Sequence, residues 1–350
     1  MIDPSIVPPP PGGDKPPGFK GVRVDESLGG GRVLEKTVFA EEFEEGMQVD
    51  APFVVDTVDL REKRDGGKYI HLTISDRTGQ GVCKVWGTAD HNGERVEEFC
   101  RRIQVGEVYW VRGYAKVYNG ACEVNVNDGI ACFAAPVSVD LVDPSLFVYA
   151  PVDHAGVRGG LARMVAAIDD LGTYDLVSRA LSMTEGFLEA PAAKRRHHAY
   201  IGGLAEHTLE TAEMALSLAG SISRADMDTD ILLAGALLHD IGKASCFCRR
   251  GFSFAALPEY TLVGHTALGA AVLMKFSDGI DPARFNHILH IVMAHHGPYG
   301  EIKPRTPEAW AVHFADNASA TLRSVCDDVS DLAPGEERLG ALTRQMVHRF

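Results

Sequence analysis

No stretch of this sequence is apolar for long enough to span a bilayer, because charged residues interrupt the longest hydrophobic runs. The chain starts Met1-Ile2-Asp3-Pro4, without the basic start and apolar segment of a secretory leader, so a cytoplasmic protein with no membrane partner is expected. Basic charge is scarce: 34 Lys and Arg against 48 Asp and Glu leave a formal net charge of −14. That excludes a protein that coats duplex nucleic acid through its overall field, while a local basic stripe or a bound metal could still supply positive potential. Cysteines number only seven, without framework spacing, which points to reduced thiols. Cys246 and Cys248 form a Cys-x-Cys pair, but no second pair completes a zinc site.

What is present suits a globular protein. With 350 residues, 45% hydrophobic and 23% charged, the chain can bury two cores. Residues 1–34 are rich in Pro and Gly and read as a disordered tail, with Pro8–Pro11 its candidate for partner binding. Over 35–140 the hydrophobic period is two. Ile70, Leu72 and Ile74 alternate with Tyr69, His71 and Thr73, as in a strand with one buried face. Strands are expected at Phe53–Leu60, Tyr69–Ile74, Val82–Trp86, Val108–Val117 and Cys122–Val126, with a helix at Glu94–Ile103. Three strands, a helix and two strands is the order of an OB-fold barrel, an all-β domain that binds single strands or sugars.

The basic residues fall on the elements such a barrel uses. Arg61, Lys63, Arg64 and Lys68 flank the first loop, and Lys84 follows. Tyr69, Trp86 and Tyr118 are candidate stacking aromatics. Cations interleaved with aromatics are what a backbone groove with a stacking platform needs. The alternative is a solvated loop with Trp86 in the core.

Residues 141–160 read as a linker and 161–350 as an all-α domain. Helices are expected at Leu161–Asp170, Tyr174–Leu188, Leu204–Ala219, Asp230–Leu238, Val263–Phe276, Asp281–His295, Pro307–Arg323 and Glu336–Phe350. His207 shares the apolar stripe of its helix and so points inward. Ile231–Leu238 is apolar all round and ends in His239-Asp240. A carboxylate buried beside an imidazole is costly unless a cation compensates, and a divalent metal is the simplest one. His265, His295-His296 and Asp316 follow on further helices. Five histidines and two aspartates are too many ligands for one ion, and nitrogen with carboxylate oxygen suits Mn, Fe, Co, Ni or Zn better than Ca or Mg.

The order His, His-Asp, His, His-His, Asp resembles the HD superfamily over residues 160–330. His197–His207, Leu232–Lys243, His295-His296-Gly297, and in the barrel Leu72–Gly79 and Lys84-Val85-Trp86, are similar to the YhaM family of 3′-to-5′ exoribonucleases. That family joins an OB-fold to an HD domain. The resemblance implies a manganese-dependent nuclease (with cobalt, iron or nickel as alternatives) acting on single-stranded RNA or DNA to release nucleoside 5′-monophosphates. By motif, His207, His239, Asp240 and Asp316 would hold one metal, and His265, His295 and His296 a second, with Asp240 bridging. Three features depart from the family: the proline-rich tail, the Cys246-Phe247-Cys248-Arg249-Arg250 stretch, and Asn317–Ala320. None removes a proposed ligand.

In the catalytic roles expected, Asp240 bridges, Lys243 neutralises a phosphate oxygen or caps a surface helix, and His198, with His197, protonates the leaving oxygen or packs structurally. A homo-oligomer is open. The rival readings are an HD hydrolase of a small nucleotide or cyclic dinucleotide, and a non-catalytic nucleic-acid-binding protein.

Overall fold

The computed structural model describes residues 22–25, 31–34, 36–63, 66–86, 93–118, 120–127, 133, 135–194, 197–222, 226–330, 332–340 and 342–350. Pro8–Pro11 and Arg64 lie outside them. Much of the expected tail does too, but part of it is ordered: β1 (Val22–Asp25) pairs antiparallel with β2 (Gly31–Leu34).

The barrel is built from β3 (Gln48–Glu62), β4 (Lys68–Asp76), β5 (Gly79–Trp86), β6 (Val108–Tyr118) and β7 (Ala121–Val126). Its strands close in the order β3-β4-β5-β7-β6, with β5 and β7 parallel and the other neighbours antiparallel. The period of two does what it predicts. Ile70, Leu72 and Ile74 are fully buried with Val49, Phe53, Val85 and Val111, while Tyr69, His71 and Thr73 face outward. A register shift between Val55 and Thr57 bends the long β3 so that it pairs with β6 at one end and β4 at the other. Helix α1 (Gly93–Arg102) covers the barrel with Val96 and Phe99.

The second domain contains α2 (His154–Ala166), α3 (Leu171–Met183), α4 (Gly203–Ser221), α5 (Thr229–Leu238), β8 (Phe247–Arg250), β9 (Ser253–Ala256), α6 (Glu259–Leu262), α7 (His265–Met274), α8 (Pro282–Ala294), α9 (Pro307–Val329), β10 (Glu337–Leu339) and β11 (Met346–His348). Asp153, Asp170, Asp228, Asp281 and Thr306 cap helix N-termini with their side chains. Helix α5 is the axis of the core: every residue from Ile231 to Leu238 is buried. None of the described helices is long and apolar enough to cross a membrane.

Three expectations change. The first helix begins at His154, inside the expected linker, because Asp153 caps it with bonds to Ala155 N and Gly156 N. A β8–β9 hairpin stands where no strand was expected. The segment read as a helix over Glu336–Phe350 is an antiparallel hairpin, with Glu337 opposite His348. Its fold is dictated from outside: Asp328, buried at the end of α9, accepts from Leu342 N and Thr343 N, both at 2.9 Å.

Both hairpins join the domains. Phe252 N, in the β8–β9 turn, donates to Gly106 O at 2.9 Å, and the Phe252 ring lies 5.9 Å from that of Phe147. Arg338 of β10 donates to Gly120 O, in the β6–β7 turn, at 3.0 Å.

Candidate metal centre

Five elements deliver the ligands. Helix α4 presents His207 from its buried side, and α5 ends at His239 and Asp240, where the chain tightens into a 3₁₀ turn over Ile241–Ser245. Helix α7 opens on His265, α8 ends before His295 and His296, and α9 contributes Asp316. Gly242 lets α7 approach: a Cβ there would lie 2.0 Å from His265 O and 2.4 Å from Gly269 N.

The seven side chains converge as two groups around one carboxylate. His207 Nε2 lies 3.1 Å from Asp316 Oδ1, 3.4 Å from His239 Nε2 and 3.5 Å from Asp240 Oδ2. On the other side, His265 Nε2 lies 3.0 Å from His296 Nε2, 3.4 Å from His295 Nε2 and 3.4 Å from Asp240 Oδ1. The two oxygens of Asp240 thus face different groups. Asp240 Oδ1 is buried without a hydrogen-bond partner among the described residues. Ring nitrogens about 3 Å apart, beside an unsatisfied buried oxygen, are unfavourable as they stand. They match donors that share a cation at about 2.0–2.2 Å from each. The residues therefore fit divalent metal, and the donor set of imidazole and carboxylate is that of a transition metal.

Tautomers are set from behind. His239 Nδ1 donates to Ala236 O and His295 Nδ1 to Val292 O, each at 2.8 Å, so both rings turn Nε2 inward. His207 Nδ1 lies 3.0 Å from Ser319 Oγ, which donates to Glu210 Oε2 at 2.7 Å; Arg323 pairs with Glu210 in turn. Ser319 belongs to the Asn317–Ala320 stretch that departs from the family pattern, and its spacing of three from Asp316 on α9 is the signal that could have revealed it. Burial holds His295 near 3 and His265 near 4, so both are neutral, as ligands must be. Burial also opposes charge on His207, but Asp240 and Asp316 outweigh it and raise the group to about 9. Asp240 is fully desolvated, yet Lys243 and His239 hold it well below the usual carboxylate range.

Lys243 is not a surface cap. It is mostly buried, paired with Asp240, and stays charged because Asp240 and Asp316 overcome its desolvation. His198 changes role. Its side chain is fully buried, with Nε2 3.2 Å from Glu210 Oε2, so it packs against the Glu210–Ser319 pair and does not face solvent. His197 is partly exposed beside His207, with burial holding it neutral near 3.

In the barrel, Tyr69 and Trp86 stand opposite each other in register and stack at 4.5 Å, with the Trp86 indole donating to Asn125 Oδ1 at 2.7 Å. Trp86 is half-buried on the outer face, not in the core. These rings line a cavity of about 1440 Å³ between the barrel and the helical domain, together with Arg61, Lys63, Lys84 and Tyr118. Lys68 does not join them: it pairs with Glu97 of α1.

A five-stranded barrel of this order beside a helical domain with two histidine groups about one buried aspartate defines an HD-domain protein with an N-terminal OB fold. Residues 204–321 match the HD domain, and residues 54–130 match the OB-fold nucleic acid binding domain. The chain is similar to the 3′-5′ exoribonuclease YhaM of Halalkalibacterium halodurans, 25% identical over 320 residues that cover 88% of this chain and 94% of the relative. The same protein of a Geobacillus species is 25% identical over 317 residues, 88% of this chain and 93% of the relative. The resemblance to the YhaM exoribonucleases spans both domains.

Proposed function

We propose that this protein is a manganese-dependent 3′-5′ exoribonuclease that takes single-stranded RNA, with single-stranded DNA as a second substrate, and releases nucleoside 5′-monophosphates. The observation that carries the reading is Asp240, whose two oxygens address two separate histidine groups. His207, His239, Asp240 and Asp316 would hold one ion; His265, His295, His296 and Asp240 the other. Bound there, a metal pair supplies Lewis acidity toward a phosphate and a water of lowered pKa. The chain's own residues do the rest. Lys243 orients Asp240 and places a fixed positive charge beside the phosphate position. Ser319 and Glu210 keep the His207 lone pair turned into the site. The cavity between the domains gives the strand a stacking surface in Tyr69 and Trp86 and a ring of cations. The direction of attack, from the 3′ end, follows the relatives.

The test uses 5′-labelled single-stranded RNA with Mn²⁺. Stepwise shortening from the 3′ end with accumulation of nucleoside 5′-monophosphates is expected, and Asp240→Ala should abolish it. Undiminished turnover by that variant, or release of internal fragments, overturns the proposal.

A further inference from the structure

We propose that the C-terminal hairpin is a third wall of the strand channel, in which Arg344 holds a phosphate of the single strand across from the stacked aromatics of the barrel. The inference rests on the exoribonuclease reading and adds to it an element and a binding residue.

The hairpin is tied to both domains. Asp328 of α9 anchors its turn through Leu342 N and Thr343 N, and Arg338 reaches Gly120 O of the barrel. Its turn, including Leu342 and Arg344, lines the same cavity as Tyr69 and Trp86. Charge compensation shows why a strand would need this wall. Two of the barrel's cations in the cavity are spent internally, Lys84 on Glu123 and Arg61 on Asp59, which leaves Lys63, over the Trp86 ring, and Lys116 on the barrel side. Arg344 is exposed, and its guanidinium makes no ion pair or hydrogen bond with any described residue. Lys194, from the helical domain, adds a second cation to the lining and has no carboxylate partner among the described residues.

The backbone strengthens the case. Arg344 has φ +59, in the left-handed region that costs a non-glycine residue about 1 kcal/mol. A glycine would relieve that strain, and the exposed guanidinium offers the fold no ion pair or hydrogen bond among the described residues in exchange. Strain without a structural return, in a cation facing a nucleic-acid-sized cavity on a chain of net charge −14, is accounted for by a polyanion that binds there.

The experiment measures binding of the full-length protein to a labelled oligouridylate of about 16 nucleotides, the upper site size of one OB fold, with chelator present to stop turnover. Arg344→Gly removes the cation and the strain together. Its melting temperature should equal or exceed that of the parent, while Kd rises severalfold. The slope of log Kd against log salt should become shallower by about 0.7, one phosphate contact on a single strand. Arg344→Glu should weaken binding further. A parent protein that binds the oligonucleotide while both variants keep its Kd and salt slope overturns the inference and leaves the exoribonuclease reading standing. A parent that neither binds the oligonucleotide in chelator nor degrades it once Mn²⁺ is restored overturns both.

Discussion

Replacing Gly106 by alanine should pry the barrel from the helical domain without touching a metal ligand. Gly106 has φ +86, and a Cβ there would lie 1.6 Å from Arg250 O and 2.4 Å from its carbonyl carbon. No side chain can yield, because the obstacle is backbone of β8, so the hairpin must withdraw. The left-handed backbone costs alanine about 1 kcal/mol. Withdrawal gives up the Phe252 N to Gly106 O bond, about 1 kcal/mol. The Phe147–Phe252 contact is worth about 1 kcal/mol more. The backbone strain stays with the barrel docked or not, so the two lost contacts weaken docking by about 2 kcal/mol, roughly thirtyfold in the docking equilibrium. Calorimetry should then show the barrel melting as a separate, earlier transition. Degradation of single-stranded RNA should fall by one to two orders of magnitude, since Phe252–Ala256 line the cavity that would hold the strand. Metal binding, measured by titration, should stay as it was. An unchanged melting profile together with unchanged RNA turnover would refute the idea that this backbone crossing holds the channel together.

Two further outcomes follow from single side chains. Ser319→Ala removes the group behind His207 Nδ1 and should weaken metal binding by about 10–100-fold with little change in melting temperature, which calorimetric titration with Mn²⁺ reads directly; undiminished affinity would show that Ser319 does not orient the ligand. Lys36, buried with Asp76, is pushed down to about 8 by desolvation that its carboxylate partner only partly offsets. Its folded value lies below its unfolded one, so the unfolded chain holds the extra proton between about 8 and 10.5, and stability should rise with pH across that window by up to about 3 kcal/mol. Denaturant unfolding between pH 7 and pH 9.5, about the range free of tyrosine ionisation, should show the rise, and Lys36→Met should flatten it.

The legible parts of this protein are those encoded within a few residues of chain. Alternation in Tyr69–Ile74 assigned Ile70, Leu72 and Ile74 to the barrel core, because successive side chains of a strand point to opposite faces whatever surrounds them. The metal residues were legible for a similar reason. His239-Asp240 closes an all-apolar helix, so burial was assured, and a buried carboxylate beside an imidazole demands a cation. Less visible was Ser319, since a serine three residues past an aspartate acquires meaning only when α4 brings His207 and Glu210 against it.

The sequence by itself thus determined the order of the barrel strands and of the ligand-bearing helices, the two cores and the seven convergent residues, through periodicity and the cost of burying charge. Tertiary structure alone decided the rest. It split the oxygens of Asp240 between two histidine groups, buried His198 against Glu210, and drew Lys68 aside to Glu97. It also turned residues 336–350 from a plausible helix into a hairpin, because Asp328 and Gly120, far apart in the chain, offer that segment hydrogen-bond partners that a helix there could not reach. Local propensity is worth tenths of a kcal/mol per residue, and a few such anchors outweigh it.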